Sequence, residues 1–573
     1  MDYKVAYNNW LSNPKLNAEA FEELSSIKDN EKEIEYRFGA DLQFGTAGMR
    51  GLIGYGTNMI NVYTVKRATK GLAEYIKTLN FTALERGVVI SYDTRKYSDV
   101  FAKAAAGVLL ANGIRVRIFA EASPVPMLSS AVRYYNAVAG IMITASHNPK
   151  EYNGFKVYGE DGAQMSVEAT KIIVNYINEV KDIFSIEEKS VEVLKNQNEM
   201  QVVGKKFLKK YINVLSKLSL SKKAIKKDGK KLKLVYTPLH GTGYTPVTKI
   251  LKKLGITVNV VEEQIVQDSN FSTVEVPNPE NPEALTKGIN LANKISADVV
   301  FGTDPDSDRL GVAIRNNDGE FITLSGNQVG VLLSDYILRR LVETKKLPSN
   351  GAIIKSFVTT NLVKPICESY GVKLVEVPVG FKFIGEKIKL YEKNKSNTFI
   401  FGFEESCGYL RGNHARDKDA VVASMLFAEM ACYYLYNNVS IYSVLEEIYE
   451  KYGYYIDRTD SIKYEGLLAM ENMNNVVNKL RNSSFEKLDV YNIIAKRDYL
   501  NGTRTTVDGM VEELEIKDMN CIYYELEIGG FICVRPSGTE PKLKVYYSIK
   551  GRDKKQAEKS INKISTAFKE LLN

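Results

Sequence analysis

One pattern occurs three times along this chain and limits the possible folds more than any other feature. An apolar strand is followed by a helix, and a glycine then precedes a second apolar strand; the copies span residues 87–118, 232–261 and 352–377. In each copy the glycine stands where a helix needs a left-handed residue at its C-terminal end. A strand, a helix and a strand at this spacing predict a βαβ unit with a parallel pair of strands. Three separate copies predict three related α/β domains in series.

The C-terminal part of the chain has a different pattern. From about Tyr454 it consists of short mixed strands that are closed by a helix over residues 554–572. Because 573 residues exceed what one hydrophobic core serves, several domains are expected. We predict an α/β protein in which three tandem α/β domains with mixed sheets precede a smaller α+β domain, all arranged around a central cleft. The predicted domains are residues 1–205, 206–315, 316–450 and 451–573.

Charge and cysteine content exclude several classes of protein. Lys and Arg number 77 against 69 Asp and Glu, a mild excess of 8 for a chain of this length. The Lys-rich stretch 222–233 is therefore interpreted as solvated surface and not as a nucleic-acid patch. Five scattered cysteines form no CxxC pair, which argues against a zinc ribbon and a disulfide framework.

The distribution of apolar residues bears on location. No apolar run reaches the eighteen residues that a membrane helix needs, and the first residues lack the apolar core of a signal peptide. We therefore expect a cytoplasmic protein without membrane or nucleic-acid partners. Whether it is a monomer or a dimer is left open by the sequence.

An acidic loop follows a short apolar strand, and every second residue in it is an aspartate: Asp304, Asp306 and Asp308. A turn can point all three carboxylates inward, where they repel one another unless a hard cation lies among them. An EF-hand is excluded because its glycine position holds Arg309 and its final glutamate position holds Arg315. Mg²⁺ commonly completes its oxygen shell with phosphate. The loop predicts a divalent-cation site, with a solvated acidic turn as the alternative.

A second motif, Thr144-Ala-Ser-His-Asn-Pro149, follows the apolar run 138–143. Loops at strand ends are where α/β folds keep reacting groups, so Ser146 is a candidate nucleophile. No Gly-x-Ser-x-Gly elbow surrounds it, which argues against a hydrolase triad. Adjacent side chains rarely face each other well enough for general-base activation. We therefore favour His147 as a donor to a phosphate on Ser146.

Three further loops carry groups suited to anions or sugar hydroxyls. The segment 535–541 can direct backbone N–H groups and hydroxyls at an oxyanion, or it can be a plain hairpin. In the segment around Glu404 and Ser406 a carboxylate and a hydroxyl can hold sugar hydroxyls, although acidic capping of a helix explains it equally well. The glycine-rich loop that ends near Arg50 brings a guanidinium close to an anion, or it is a tight turn. The chain has no GxxxxGK[ST] sequence, which excludes a P-loop nucleotidase.

Taken together, these motifs resemble the α-D-phosphohexomutase family of phosphoglucomutases and phosphomannomutases. Four motifs stand in the family's order, and the resemblance runs from about Phe44 to Lys544. The segments 44–51 and 402–408 look most like the phosphoglucomutase and phosphopentomutase-like branch. The resemblance implies an isomerase-class enzyme of carbohydrate metabolism. It would interconvert α-D-glucose 1-phosphate and glucose 6-phosphate through a phosphoserine, with Mg²⁺ and with glucose 1,6-bisphosphate as intermediate and activator.

The resemblance also implies a role for individual residues. Ser146 would be the phosphoserine and would share the metal ion with the three aspartates. His147 and Lys418 would assist catalysis, and Lys418 matches a family lysine associated with proton transfer. The phosphosugar would be bound by the following set: Arg50, Lys156, Arg309, Lys382, Glu404, Ser406, Arg535, Ser537, Gly538 and Thr539.

One position departs from the family's pattern and bears on the sugar preference. Many phosphoglucomutases carry threonine before the glycine of the loop that precedes Lys382, whereas this chain carries Val379. We expect one hydroxyl contact to the substrate to be missing. The alternatives within the family are therefore a phosphomannomutase, a phosphopentomutase and a glucose-1,6-bisphosphate synthase. Outside it stand a metal-dependent sugar phosphatase and a sugar-phosphate-binding protein without catalysis.

Overall fold

The computed structural model describes most of the chain and divides it into two compact units. The described residues are 2–45, 48–191, 199–465, 468–483, 486–488, 490–537 and 541–572. The first unit comprises Met1–Leu324, Ile384–Lys395 and Cys407–Asn438, and the second comprises Ser325–Phe383, Ser396–Ser406 and Val439–Asn573. Within the described part of the chain, no helix combines the length and the apolar character needed to cross a membrane.

Three short helices open the first unit: α1 (Tyr3–Leu11), α2 (Ala18–Ser26) and α3 (Glu31–Phe38). They bury an aromatic cluster in which the ring of Trp10 lies edge-on to Phe38 and Tyr63, with centroids 5.6 and 5.4 Å away. Edge-to-face aromatic pairs add stability beyond the area that they bury. The cluster therefore ties these helices to the start of the following domain, because Tyr63 belongs to its first helix.

The first sheet has six strands in the order β1-β5-β4-β2-β3-β6. The strands are β1 (Met49–Leu52), β2 (Val88–Tyr92), β3 (Val116–Phe119), β4 (Ala139–Ile143), β5 (Tyr152–Gly159) and β6 (Met200–Val203). The helices are α4 (Val62–Leu79), α5 (Phe81–Arg86), α6 (Ser98–Ala111), α7 (Val125–Tyr134) and α8 (Val167–Glu179). β2 runs parallel to β4, whereas β4 and β5 are antiparallel. The loop between β4 and β5 therefore begins beside the C-terminal end of β2.

The second sheet has five strands in the order β11-β10-β9-β7-β8. The strands are β7 (Leu234–Thr237), β8 (Val258–Val260), β9 (Val299–Thr303), β10 (Leu310–Arg315) and β11 (Phe321–Leu324). The helices are α9 (Lys205–Ser216), α10 (Lys222–Asp228), α11 (Tyr244–Leu254), α12 (Glu262–Ile265) and α13 (Thr286–Lys294). β9 is parallel to β7 and antiparallel to β10. The acidic loop is thus the short connection between a parallel strand and its antiparallel neighbour.

The second unit begins with a parallel arrangement of strands in which β12 (Gly351–Ser356) lies between β13 (Lys373–Val377) and β14 (Thr398–Glu404). The helices of this region are α14 (Gly326–Glu343) and α15 (Val363–Ser369). Helix α16 (Phe381–Asn394) begins in the second unit, and its residues from Ile384 onward belong to the first. The next strand, β15 (Gly408–Leu410), and helix α17 (Ala420–Tyr436) belong to the first unit.

The C-terminal domain of the second unit is an antiparallel sheet with helices. Its strands are β16 (Tyr454–Lys463), β17 (Lys487–Leu488), β18 (Tyr491–Asp498), β19 (Thr503–Thr506), β20 (Val511–Glu513), β21 (Ile522–Leu526), β22 (Phe531–Pro536) and β23 (Lys542–Gly551). The helices are α18 (Ile441–Tyr452), α19 (Ala469–Asn482) and α20 (Lys554–Leu572). Apolar side chains of α19 and α20 pack on one face of the sheet, which gives this domain its own core.

The predicted fold class is confirmed by this architecture. Each predicted strand–helix–strand unit is present, as β2-α6-β3, β7-α11-β8 and β12-α15-β13, with its two strands in parallel. The glycines Gly113, Gly255 and Gly371 have φ of 73°, 88° and 65°, as left-handed ends of helices require. The second sheet extends to Leu324, past the residue 315 at which we placed a boundary. The exact domain boundaries and the central cleft stay predictions.

We predict that Leu72→Ala and Leu79→Ala, two substitutions in the same helix α4, lower the free energy of unfolding by very different amounts. Leu72 is fully buried, whereas Leu79 is 41% exposed. Removing the buried side chain leaves a cavity and should lower the free energy of unfolding by about 3 kcal/mol. The exposed substitution should change it by less than about 0.5 kcal/mol. Urea unfolding followed by circular dichroism measures both, and equal costs would show that the core does not lie where the structure places it.

Candidate active site

Ser146 lies in the loop between β4 and β5 in a backbone conformation that few residues adopt. Its φ is 54°, in the left-handed region, and the residue is only 3% exposed. Non-glycine residues in this region cost roughly 1–3 kcal/mol and cluster at functional sites. The hydroxyl donates to Oδ2 of Asp304 at 3.0 Å and lies 3.2 Å from Nδ1 of His147. The strained loop thus directs the serine hydroxyl at the acidic loop between β9 and β10.

The three aspartates of that loop are buried together. One oxygen from each lies within 4.8 Å of the others. Oδ1 of Asp304 accepts hydrogen bonds from the backbone N–H groups of Asp308 and Arg309, both at 3.0 Å, which fixes the turn. Lys156 from β5 lies 3.2 Å from Oδ2 of Asp306. Lys418, just before α17, lies 3.1 Å from Oδ2 of Asp308.

Two oxygens of this cluster fit a cation, because neither accepts a hydrogen bond from the part of the chain that the structure describes. Among the described residues, no hydrogen-bond donor reaches Oδ1 of Asp306 or Oδ1 of Asp308, although both atoms are buried. Burial and then the repulsion of the neighbouring carboxylates raise the pKa of Asp304 well above its ordinary range. Buried oxygens that repel one another and lack donors are ligands suited to a hard divalent cation.

The charge of Lys156 acts on the central carboxylate. Burial alone would raise the pKa of Asp306, but the charge and hydrogen bond of Lys156, the hydrogen bond with Asp304 and the charge of Lys418 together lower it. In contrast, burial and then Asp306 raise the pKa of Asp308. The cluster is therefore charged unevenly, with the carboxylate beside Lys156 the most firmly ionised.

Further polar groups surround Ser146 and the aspartates. Arg50, from β1, donates to Oδ1 of Asn148 at 2.9 Å. The guanidinium of Arg309 pairs with Glu280. Partial burial and then the charges of Arg309 and Arg50 lower the pKa of His147 well below its ordinary value. The imidazole is therefore neutral at pH 7, with one donor and one acceptor nitrogen.

Lys418 is held between two aspartates. Besides Asp308, its ammonium contacts Oδ1 of Asp417 at 3.3 Å. Asp417 also accepts hydrogen bonds from the Tyr158 hydroxyl at 2.9 Å and from Gln164 at 3.1 Å. These contacts hold the ammonium at the acidic cluster and largely away from water, since the lysine side chain is only 10% exposed.

The sugar-binding candidates lie in the second unit. Glu404 is buried at the end of β14 and accepts a hydrogen bond from the hydroxyl of Ser406 at 3.2 Å. The ammonium of Lys382, near the start of α16, lies 4.9 Å from the ring centroid of Phe383. Val379, where the sequence departs from the family's pattern, packs against an apolar cluster that includes Phe357. The valine side chain is partly buried there and contributes to the packing of that cluster.

The predicted anion cradle is described in part. Arg535 lies on β22, and the backbone N–H of Ser537 donates to the carbonyl of Lys542 at 2.8 Å, which closes the turn toward β23. Gly538 and Thr539 lie outside the described residues.

The predicted site residues are divided between the two units. The first unit holds a cluster of nine predicted residues: Arg50, Ser146, His147, Lys156, Asp304, Asp306, Asp308, Arg309 and Lys418. The second unit holds Lys382, Glu404, Ser406, Arg535 and Ser537. The roles of all these residues stay predictions.

Sequence reasoning did not single out several residues that support this cluster. Glu280 pairs with Arg309, and Asp417 contacts Lys418. Asp417 stands next to a residue that the sequence did single out, so its position was available as a signal. Asp93 and Arg95 follow β2, and the rule that parallel strands end at a common edge could have placed them beside the loop after β4.

Three domain models of the phosphoglucomutase/phosphomannomutase family match this chain. The α/β/α domain I of that family matches residues 41–183, domain II matches residues 209–319, and domain III matches residues 325–452. The matches follow one another in the order in which the three α/β sheets occur.

Whole-length relatives give the same result. The chain is 36% identical to a phosphoglucomutase of Staphylococcus saprophyticus over 532 residues, covering 92% of this chain and 94% of that protein. A phosphoglucomutase of Staphylococcus aureus is also 36% identical, over 544 residues, covering 93% and 94%. The open form of the Paramecium phosphoglucomutase parafusin aligns with a TM-score of 0.67 and 18% identity, covering 93% of this chain and 95% of that one. At that identity the structural likeness shows the fold alone.

We predict that Asp306→Asn weakens binding of Mg²⁺ or Mn²⁺, measured by isothermal titration calorimetry. The amide keeps the shape of the side chain but removes the charge of Asp306, whose Oδ1 is one of the two oxygens that lack donors. The affinity should fall by more than about 100-fold, the upper range for residues that only support metal ligands. The matched control is Asp318→Asn in the exposed turn between β10 and β11, which should bind as the parent does. Equal affinity in both variants would refute the assignment of the cation site to this loop.

Proposed function

This chain belongs to the phosphoglucomutase/phosphomannomutase family, and from that membership we propose that it is a phosphoglucomutase. It interconverts α-D-glucose 1-phosphate and glucose 6-phosphate through a phosphoserine at residue 146 and a glucose 1,6-bisphosphate intermediate. The observation that carries this proposal is the hydroxyl of Ser146, buried and 3.0 Å from Asp304 in a cluster of three aspartates. A hydroxyl in this setting is suited to receive and return a phosphoryl group.

The charge balance of the cluster explains why the surrounding cations are needed. A phosphoserine carries nearly two negative charges at pH 7, and it would stand beside three carboxylates. Lys156 and Lys418 already contact two of those carboxylates, and Arg50 and Arg309 lie around the loop of the serine. Phosphoryl transfer depends mainly on positioning and on offsetting charge. These four side chains therefore provide the positive field in which a second phosphate can approach.

The three aspartates and Ser146 would hold Mg²⁺, and the cation when bound would neutralise charge on the phosphoryl group that moves. The donor-free oxygens of Asp306 and Asp308 support this assignment. His147, neutral and 3.2 Å from Oγ of Ser146, would donate a hydrogen bond to a phosphoserine oxygen.

Proton transfer is assigned to Lys418. Its ammonium lies at the acidic cluster between Asp308 and Asp417, within reach of a sugar hydroxyl placed there. An ammonium can give a proton to a leaving oxygen, and the amine that remains can accept one from an attacking hydroxyl. Held by two carboxylates, the side chain keeps one orientation through both steps.

The remaining residues to which the family resemblance assigns substrate binding belong to the second unit. Glu404 and Ser406 offer a carboxylate and a hydroxyl to vicinal sugar hydroxyls. Arg535 and Ser537, with Gly538 and Thr539, would hold the phosphate that does not react, and Lys382 is a further substrate-binding candidate. A site that holds either phosphate at the same place lets the bisphosphate bind in two orientations, as the interconversion requires.

The substrate is tested by a coupled assay across glucose, mannose and ribose 1-phosphates with Mg²⁺ and glucose 1,6-bisphosphate. We expect kcat/KM for glucose 1-phosphate to exceed the other two by roughly tenfold or more, as misplaced hydroxyls leave polar groups unpaired. A preference for mannose or ribose would make the chain a phosphomannomutase or a phosphopentomutase. Release of inorganic phosphate without isomerisation would make it a phosphatase.

The roles of Ser146 and Lys418 are separated by two variants, Ser146→Ala and Lys418→Met. After incubation with glucose 1,6-bisphosphate, intact mass should show a phosphorylated protein for the parent and for Lys418→Met, but not for Ser146→Ala. Turnover should be abolished by Ser146→Ala and reduced about 100-fold or more by Lys418→Met, the range that general acid–base groups contribute.

The controls for this pair are Ser26→Ala, at the exposed end of α2, and Lys389→Met, whose side chain is 59% exposed. Both should keep the turnover of the parent. Retained turnover in Ser146→Ala would refute the phosphoserine, and an unchanged rate in Lys418→Met would refute the assigned proton transfer.

A further inference from the structure

Arg95, in the segment after β2, has no assigned role and lies directly behind the loop of Ser146. Its side chain is fully buried. The guanidinium donates to four backbone carbonyls of the segment that follows β4. The acceptors are Ser146 at 2.6 Å, Asn148, Pro149 at 2.7 Å and Tyr152 at 3.0 Å. One side chain thus binds the backbone of the reacting serine and of the three residues that set the path of the loop.

The guanidinium is itself held in place. Its Nε lies 3.2 Å from Oδ2 of Asp93, whose side chain is also fully buried. Asp93 in turn accepts hydrogen bonds from the Ser98 hydroxyl at 2.7 Å and the backbone N–H of Arg95 at 2.9 Å. The guanidinium carbon lies 5.1 Å from the ring centroid of Phe271, which covers it. The ion pair with Asp93 and the ring of Phe271 thus hold the guanidinium from two sides.

The same aspartate also reaches the other side of the serine. The Thr144 hydroxyl donates to Oδ2 of Asp93 at 2.6 Å and accepts the backbone N–H of Ser146 at 2.8 Å. The N–H of Ser146 is thus tied to Asp93 through Thr144, and its carbonyl is tied to Arg95. Both peptide groups that flank the left-handed φ of 54° are fixed by this pair. Without such partners an L-residue would leave this conformation.

We propose that Arg95 is a positioning residue for the nucleophile: its guanidinium, anchored by Asp93, holds the loop so that Oγ of Ser146 points at Asp304. The inference rests on the proposed phosphoserine function and adds to it a residue that touches neither substrate nor metal ligand side chains. Arginine is required because its four terminal N–H groups diverge in a plane toward four carbonyls. A lysine ammonium donates from a single nitrogen and cannot reach all of them.

Arg95→Lys tests the proposal by comparing kcat with KM in the mutase assay. Because a displacement of about 1 Å at the reacting atom can cost about 100-fold, kcat should fall by about that factor. KM for the sugar phosphate should change little, since Arg95 does not contact the side chain of any residue that is predicted to bind the substrate. The matched control is Arg117→Lys, a buried arginine of the same sheet whose guanidinium donates to the carbonyl of Arg86 at 2.7 Å. It should keep the kcat of the parent.

A second variant covers the case in which Arg95→Lys folds poorly. Arg95→Ala leaves space for a small planar cation, so added guanidinium should restore part of kcat whereas ammonium should not. Rates are expressed per folded protein, from circular dichroism of the same samples. Restoration by guanidinium, or a lowered kcat at constant KM, supports the positioning role.

Two outcomes separate this inference from the proposed function. If the parent protein has no mutase activity, the proposed function fails. If the parent is active and Arg95→Lys, per folded molecule, retains its kcat, Arg95 acts only on stability and the inference is overturned. If Arg95→Lys does not fold, failure of guanidinium to restore Arg95→Ala overturns it in the same way.

Discussion

Repulsion among buried carboxylates is the constraint on which the rest of the site depends. Three aspartates lie within one loop, away from water, and a serine hydroxyl points at one of them. Such a group of anions is stable only if positive charge is brought to it. The chain does this with lysines from two distant segments, 156 and 418, which contact two of the three carboxylates. The oxygens of Asp306 and Asp308 that lack hydrogen-bond donors among the described residues could hold a cation, which would complete the balance of charge.

The fold solves a second problem, which is to bring the two reacting loops together. In both sheets of the first unit, a parallel strand is followed by a short loop and an antiparallel neighbour: β4 and β5 in one, β9 and β10 in the other. The serine occupies the first loop and the aspartates the second. The backbone N–H of Val125 also donates to the carbonyl of Asp306 at 2.9 Å, which fastens the acidic loop to the start of α7. Equivalent positions in two related sheets thus carry complementary halves of one centre.

Much of this arrangement could be predicted from the sequence, for a physical reason. Glycines at helix ends, apolar strands and the alternating aspartates are local signals, and each acts within a few residues of itself. Arg95 and Asp93 carry no such local signal, because their partners lie about fifty residues further on, and only the rule that parallel strands end at a common edge points to them. They meet those partners only through the parallel register that sets Tyr92 of β2 beside Ile143 of β4. Likewise the second sheet extends to β11 because β11 pairs with β10. The sequence of so short a strand does not show which strand it pairs with. Contacts between loops at the edge of a sheet can be predicted only if the register of the strands is known. Contacts between residues close in sequence do not require it.

The aromatic cluster at the N-terminus has a consequence for spectroscopy. Trp10 is the only tryptophan of the chain, and it is buried among Phe38, Tyr63 and Phe184. Its emission therefore senses the polarity of one location, within the first unit. Fluorescence excited selectively at the indole reports loss of that packing and is blind to melting of the C-terminal sheet, whereas far-ultraviolet dichroism registers both. Comparing the fluorescence of Trp10 with the dichroism signal therefore reports the order in which the two regions unfold.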